Sequence, residues 1–524
     1  MIQEFRGTVK SFVLGISLLF GGVYAGGQEP PQPAPAAAAA TPEIATGFTR
    51  QVSDFTLPNG LHFIVLERHD APIVSFHTYI RAGFANVPAG QSGLLRLLER
   101  LAWSGTESIG SLDWANEKKA LDVLEETYDR LQAERNKGLN ADEVKITSLG
   151  FDVQRAMDRA KSFAKAGEYQ QVLTDKGATG IGVTASADAI QYVCTLPSNR
   201  TDLWFSMESQ RLVRPVFRGF YTEREALAQQ LRSATAESRV VELFSATGFL
   251  AHPYRNPSHG WIGDVDNLRP SDLRSFIDRY LVPGNMTIAI AGDITAADAR
   301  RLADKYFVGA AWSARPIPAA IPTQEPVQNA PRMSIAYSAT TPIVAVGYRR
   351  PNQYDRDDIV FDVIHGIVNG AKGWLEQGLM RSSSVVTALR VQAAFPGGRY
   401  PALFAVVAPI APGRTLDQAV TGIQAVMDRL RDQPLDDAAL ARAKAHVRET
   451  AVMALGRNAS AAALLAASAA EYGDWRQPLV ELDRLDKITS TDIQRVAAKY
   501  FVAERRAVAY SGSDIVPAAP GSGK

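Results

Sequence analysis

The segment Gly93–Thr106, GLLRLLERLAWSGT, brings three charged residues into chemical range of one another. Leu94 to Trp103 has helical periodicity, so Arg96, Glu99 and Arg100 fall at i, i+3 and i+4 on one face. A carboxylate there reads either as a general base or as a structural group salt-bridged by two guanidiniums. An arginine stays protonated at any workable pH and offers a metal no lone pair. The seven histidines, His62, His69, His77, His252, His259, His365 and His446, form neither H-x-H nor H-x3-H. They read as structural or surface groups. Cys194 is the single cysteine, which excludes an internal disulfide and a cysteine-built zinc site. The motifs G-x-S-x-G, G-x-x-x-x-G-K-[ST] and G-x-G-x-x-G are absent, which leaves serine-hydrolase and nucleotide-binding readings unsupported.

The elements that position these residues belong to a long chain. It has 524 residues, enough for two to four domains, and 46% are hydrophobic, enough for buried cores. Lys+Arg number 56 and Asp+Glu 55, so net charge is +1 and no nucleic-acid partner is expected. Residues 1–25 read as a signal peptide: Arg6 and Lys10, an apolar core from Phe12 to Phe20, then Val23-Tyr24-Ala25. The apolar run is too short for a stable membrane span after cleavage. Residues 26–45 are a Pro/Ala-rich tether.

An internal repeat organises the rest. Leu268–Gly292 and Ile488–Gly512 align at an offset of 220, pairing Asp272 with Asp492, Tyr280 with Tyr500 and Gly292 with Gly512. Ala71-Pro72-Ile73-Val74 aligns with Thr341-Pro342-Ile343-Val344 at an offset of 270. The difference of 50 places an insertion in the first half. The charged stretch 112–166 fits it, as a helical hairpin broken at Gly138-Leu139-Asn140. Strands are expected at Leu61–Leu66 and Ile73–Ile80, joined as a hairpin around Asp70-Ala71-Pro72, and at Ile190–Thr195. A helix is expected over Asp202–Val213. The fold class is therefore α+β: two homologous halves, each a mixed or antiparallel sheet covered by helices. The boundaries are 46–308, a proline-rich linker at 309–332, 333–515, and a tail at 516–524.

The frame around Glu99 resembles the insulinase/pitrilysin family of zinc peptidases, the inverzincins. Their helix phrase is G-L-A-H-F-L-E-H-M-x-F-x-G-T, containing H-x-x-E-H. Gly93, Leu94, Leu98, Gly105 and Thr106 keep the frame, while the imidazole positions fall on Arg96 and Arg100. Phe55-Thr56-Leu57-Pro58-Asn59-Gly60-Leu61 resembles the family's opening phrase. Gly180–Tyr192 resembles its edge strand, with Gly182 and Val183 at substrate-binding places. His252-Pro253-Tyr254, Gly260-Trp261, Pro283-Gly284-Asn285 and Ala291-Gly292-Asp293 resemble further family phrases, so the likeness covers roughly residues 50–515. The family's third ligand comes from a phrase E-x6-E. Here Glu223 keeps the first acid and the ligand position falls on Gln230, with Glu225 on a different helix face. Arg381 matches a substrate-gripping arginine, whereas the tyrosine that accompanies it is replaced near Val386 or Thr387.

The resemblance implies a pitrilysin-like fold and no resident catalytic group or metal, since Arg96, Arg100 and Gln230 replace every ligand. The leading expectation is a non-catalytic homologue, periplasmic or exported. It would complete the peptide-binding chamber of a zinc metalloendopeptidase whose H-x-x-E-H subunit alone carries zinc. Two alternatives stand beside it: an active zinc endopeptidase with unorthodox histidine ligands, and a stand-alone envelope peptide-binding protein.

Overall fold

The structure, a computed structural model, describes residues 47–337 and 342–512. The signal peptide, tether and tail expected at 1–25, 26–45 and 516–524 lie outside the described residues. The first half runs β1 (Val52–Thr56), β2 (His62–Glu67), β3 (Ile73–Ile80), α1 (Leu94–Leu101), α2 (Trp114–Arg135), α3 (Glu143–Lys161), α4 (Glu168–Asp175), β4 (Thr179–Ala185), β5 (Ile190–Pro197), α5 (Thr201–Val213), α6 (Phe220–Arg232), α7 (Ala236–Gly248), α8 (Ile262–Asn267), α9 (Pro270–Tyr280), β6 (Met286–Gly292) and α10 (Ala296–Tyr306). The second runs β7 (Arg332–Tyr337), β8 (Ile343–Arg350), α11 (Asp358–Val368), β9 (Arg390–Phe395), β10 (Ala402–Pro409), α12 (Leu416–Asp432), α13 (Asp437–Gly456), α14 (Asn458–Tyr472), α15 (Gln477–Lys487), α16 (Ser490–Tyr500) and β11 (Arg506–Gly512).

The two sheets have one topology. The first is ordered β1-β2-β6-β3-β5-β4, the second β7-β11-β8-β10-β9. In each, the last strand of its half enters between the first two of the repeat. It runs parallel to β2 or β7 and antiparallel to β3 or β8. The expected hairpin of strands 61–66 and 73–80 is therefore corrected: β2 and β3 are not paired, because β6 separates them. Every residue of β6 is buried, and only a central position covers both of its faces. The real hairpin is β1–β2, turning through Pro58-Asn59-Gly60, where Gly60 takes φ +93°.

Each sheet buries one face under its own helices. Phe63, Phe76, Trp204, Phe205 and Phe307 form stacked and edge-on aromatic contacts beneath the first. The opposite faces are covered by exchange. α7 of the first half lies on β8 and β11 of the second, and α14 of the second lies on β3 and β6 of the first. α14 brings Ala461, Ala462, Ala466 and Ala469 against Ala289, Ala291, Ile64 and Leu66, and these small side chains allow a close approach. Under α7 the Phe244 ring lies over Gly347, where an added Cβ would stand 2.4 Å from Cζ.

The insert is a helical hairpin as expected. Asp113 and Asp142 cap α2 and α3 with their carboxylates, and Gly138–Asn140 makes the break. Leu124, Tyr128 and Leu131 dock it on the body, and the buried Arg218–Glu117 pair (2.6 Å) anchors its start. The linker is strapped down. Glu325 accepts the N–H groups of Leu250, Ala251 and His252 at 2.7, 2.9 and 3.0 Å and pairs with Arg332. Burial alone would raise the Glu325 carboxyl, but these donors hold it down at about 2. Among the described residues no single helix is long and apolar enough to cross a membrane.

Candidate functional site

α1 exists because five leucines, Leu94, Leu95, Leu97, Leu98 and Leu101, line its inner face. Its entry is fixed by glycine. Gly93 takes φ +91°, and an added Cβ would stand 2.6 Å from Val265 Cγ2; Gly260 lies against it from the facing loop, where its own Cβ would stand 2.7 Å away. Asp264 accepts from the Ser92 hydroxyl at 2.5 Å and its N–H at 3.1 Å, while Trp261 N–H donates to Ser92 Oγ. Ser258 and His259 of that loop are held by Glu242 of α7, with His259 Nδ1 at 2.6 Å. Burial alone would raise the Glu242 carboxyl; these hydrogen bonds keep it below its ordinary value.

Against this frame the charged trio separates. Arg96 Nη1 donates to Glu99 Oε2 at 2.7 Å and Nε to Ser258 O at 3.3 Å, with the guanidinium over the Phe84 ring. Glu99 Oε1 accepts the Ala185 N–H at 2.6 Å, tying α1 to β4. Arg100 turns away from Glu99, contrary to the expected three-way bridge. It reaches α6, donating to Glu223 Oε2 at 3.0 Å and Gln230 Oε1 at 2.8 Å. Glu223 and Gln230, seven residues apart, share one face of α6, which is why one guanidinium spans both. Glu225 points elsewhere, paired with Arg232.

The fold thus brings Arg96, Glu99, Arg100 and Gln230 into one cluster, with no room for zinc chemistry among its donors. Arg96 and Arg100 present only N–H groups, the Gln230 oxygen is taken by Arg100, and both Glu99 oxygens are occupied. Glu99 is a brace between α1 and β4. Glu99→Ala is expected to destabilise the protein by about 1–3 kcal/mol, because Ala185 N–H and Arg96 both lose a partner. Glu99→Gln, which still offers an oxygen to Ala185, is expected to cost less. Urea unfolding of the two variants checks the order.

Gly182 and Val183 sit on β4, the edge strand, opposite Val193 and Tyr192 of β5. Among the described residues β4 pairs with no other strand, so its outer edge is unpaired. Arg381 lies apart, in the π-helical turn Glu376–Ser382. It is 64% exposed, pairs with Glu376 at 2.9 Å and makes no hydrogen bond to the cluster.

The histidines are dispersed. His62 pairs with Asp54, His69 with Asp293, His259 with Glu242, and His77 meets Gln191 inside the sheet. Among the described residues no three His, Cys, Asp or Glu side chains converge as a metal site. A network that the sequence reading missed joins the halves. Glu471 of α14 receives Arg399 Nε at 2.9 Å and the Tyr79 hydroxyl at 2.7 Å, and Asp188 receives the Tyr254 hydroxyl and the Gly398 and Arg399 N–H groups. Its signal was a polar residue inside apolar phrases, as with Glu471 at the end of the alanine-rich run 461–470.

Two sheets of one topology with exchanged helices make a pitrilysin-like fold. Residues 267–447 match the family model described as Peptidase M16 inactive domain. The zinc protease PqqE of Helicobacter pylori is 25% identical over 227 residues, 41% of this chain and 50% of that protein, so the match spans about half the relative's length. Solved structures agree in fold alone. A protease from Helicobacter pylori superposes with a TM-score of 0.73 (18% identity, 88% of this chain, 99% of that one). A peptidase M16 inactive domain from Pseudomonas fluorescens gives 0.70 (13% identity, 88% and 98%), and a chain of complex III2 from Candida albicans gives 0.63 (13% identity, 88% and 96%). Residues 267–447 are thus similar to the Peptidase M16 inactive domain, and the chain as a whole has a pitrilysin-like fold.

Proposed function

We propose that this chain is a non-catalytic family member, exported to the periplasm, that closes the peptide chamber of a zinc endopeptidase whose second subunit bears H-x-x-E-H. One observation carries the reading: Arg100 spans Glu223 and Gln230 where active members bind metal, and Glu99 is committed to β4, yet the whole fold is retained. The unpaired edge of β4 at Gly182 and Val183 suits an extended peptide added as a further strand. Arg381 is assigned a minor, peripheral role in gripping it.

Purification of the full chain from its native host is the test. A companion chain carrying H-x-x-E-H and zinc is expected to copurify, and the isolated chain is expected to hold no stoichiometric zinc and to leave unstructured peptides intact. A protein that runs only as a monomer with no such companion sinks the pairing. Stoichiometric zinc with chelator-sensitive peptidase activity in the isolated chain would establish the unorthodox-ligand enzyme instead.

A further inference from the structure

The second half repeats the helix pair that builds the site of the first. α11 follows β8 as α1 follows β3, and it packs on α13 as α1 packs on α6. Gly366 of α11 meets Ala443 of α13, as Arg100 of α1 meets Glu223 of α6. In the first half the Arg100 guanidinium bridges this helix pair. In the second half a cavity of about 180 Å³ lies among α11, α13, α14 and α15, where the two halves adjoin. An engineered cavity of about 150 Å³ in another protein takes up benzene. This one has room for a side-chain-sized group.

Its walls are of two kinds. Ile359, Val447, Ala451, Leu464, Leu482 and Leu485 make an apolar sheath. Asp358, Asp362 and Glu481 make an acidic wall. Two of these acids are already neutralised by neighbours. Asp358 pairs with Arg350, and Glu481 accepts from Gln477 at 2.5 Å and Arg484 at 3.0 Å. Asp362 lines the cavity with no hydrogen bond or ion pair to any described residue. Burial and the neighbouring Asp358 push its carboxyl up to about 8. The nearby His365 is held neutral by burial, and the Arg350 guanidinium on the same wall lowers the Asp362 carboxyl somewhat while committed to Asp358. Left alone the carboxyl keeps its proton near neutral pH, and a cation seated beside it in the hole would return it to the carboxylate. No three donors converge there as a metal ion requires.

We propose that this cavity binds an alkylammonium or alkylguanidinium group, with Asp362 as the counter-ion and the apolar wall enclosing the carbon stem. The group comes either from a free amine or from a lysine or arginine side chain of a peptide. Tyr79 and Asp188 of the first half line the same cavity as α14 and α15, so both halves wall it. The inference stands independently of the pairing proposed above.

Calorimetry on the full chain tests it, with n-butylammonium, n-propylguanidinium, neutral n-butanol and the tripeptide Ala-Lys-Ala as probes. Saturable one-site binding of a cationic probe is expected, at least tenfold tighter than n-butanol. Asp362→Asn is expected to lose tenfold or more while keeping its fold, and Ala451→Leu, which fills the hole, to lose binding with Asp362 intact. If Ala451→Leu fails to fold, Asp362→Asn alone decides. Competition by Ala-Lys-Ala assigns the source to peptides, and binding of the small cations alone assigns it to free amines; both support the site. No saturable cation binding in the unmodified chain, or undiminished binding in Asp362→Asn, overturns it.

Discussion

Arg399→Ala is expected to destabilise the protein by about 3–5 kcal/mol, because it strands a buried carboxylate. Arg399 and Glu471 are 9% and 3% exposed. Burial alone would raise the Glu471 carboxyl, yet the Arg399 guanidinium and the Tyr79 hydroxyl hold it below its ordinary value. It stays charged inside the junction. The same arginine offers its backbone N–H to Asp188, so three elements from both halves meet at one residue. Arg399→Lys is expected to lose much of the same stability, since one ammonium cannot reproduce the fork that spans both Glu471 oxygens. The double variant Arg399→Met/Glu471→Leu is expected to recover most of the loss, because it removes both buried charges together. Urea unfolding midpoints decide the matter; an Arg399→Ala midpoint equal to that of the unmodified chain would remove the junction from the stability argument.

The second large effect is acid sensitivity. Burial depresses the His77 and His365 imidazoles from near 6.5 to about 4. Each is neutral in the fold and protonates more readily when the chain unfolds. Their contribution is complete above pH 6.5 and is lost as pH falls toward and through about 4, a change of about 3 kcal/mol per histidine. His252 shifts in the same direction, also through burial. Asp362 works oppositely, because its raised value favours the fold as pH falls. The clean readout is therefore the gap between the unmodified chain and His77→Gln or His365→Gln, measured by unfolding at pH 7 and pH 4. The unmodified chain should lose about 3 kcal/mol more than either variant over that range. Parallel losses would mean that these imidazoles are not buried in their neutral form.

The repeat made much of the fold legible. The offset of 270 carries β2 onto β7 and β3 onto β8, and the offset of 220 carries α9 onto α16 and β6 onto β11. The insert was legible because its charged helices have one apolar stripe each and a glycine break. What stayed hidden was non-local. An apolar strand such as 286–292 announces that both faces are covered, not that it enters between two strands more than 200 residues earlier. The alanine-rich run 461–470 announces a close approach without naming the sheet it approaches. In the site, the residue types were legible: guanidinium and amide groups stand where the family resemblance implies metal ligands. That Arg100 would abandon Glu99 for Gln230 depended on the distance between α1 and α6, which one helix cannot encode. Asp362 did carry a signal, as a lone acid within the apolar stretch IVFDVIHGIV, but only the surrounding helices reveal that it faces a hole.

The exchange of α7 and α14 bears on the order in which this polypeptide folds. The first sheet is complete once residue 292 has been made, but its outer face stays bare until residues 458–472 are synthesised and arrive. Folding therefore cannot finish half by half. Until α14 docks, an apolar sheet face stays open to wrong partners.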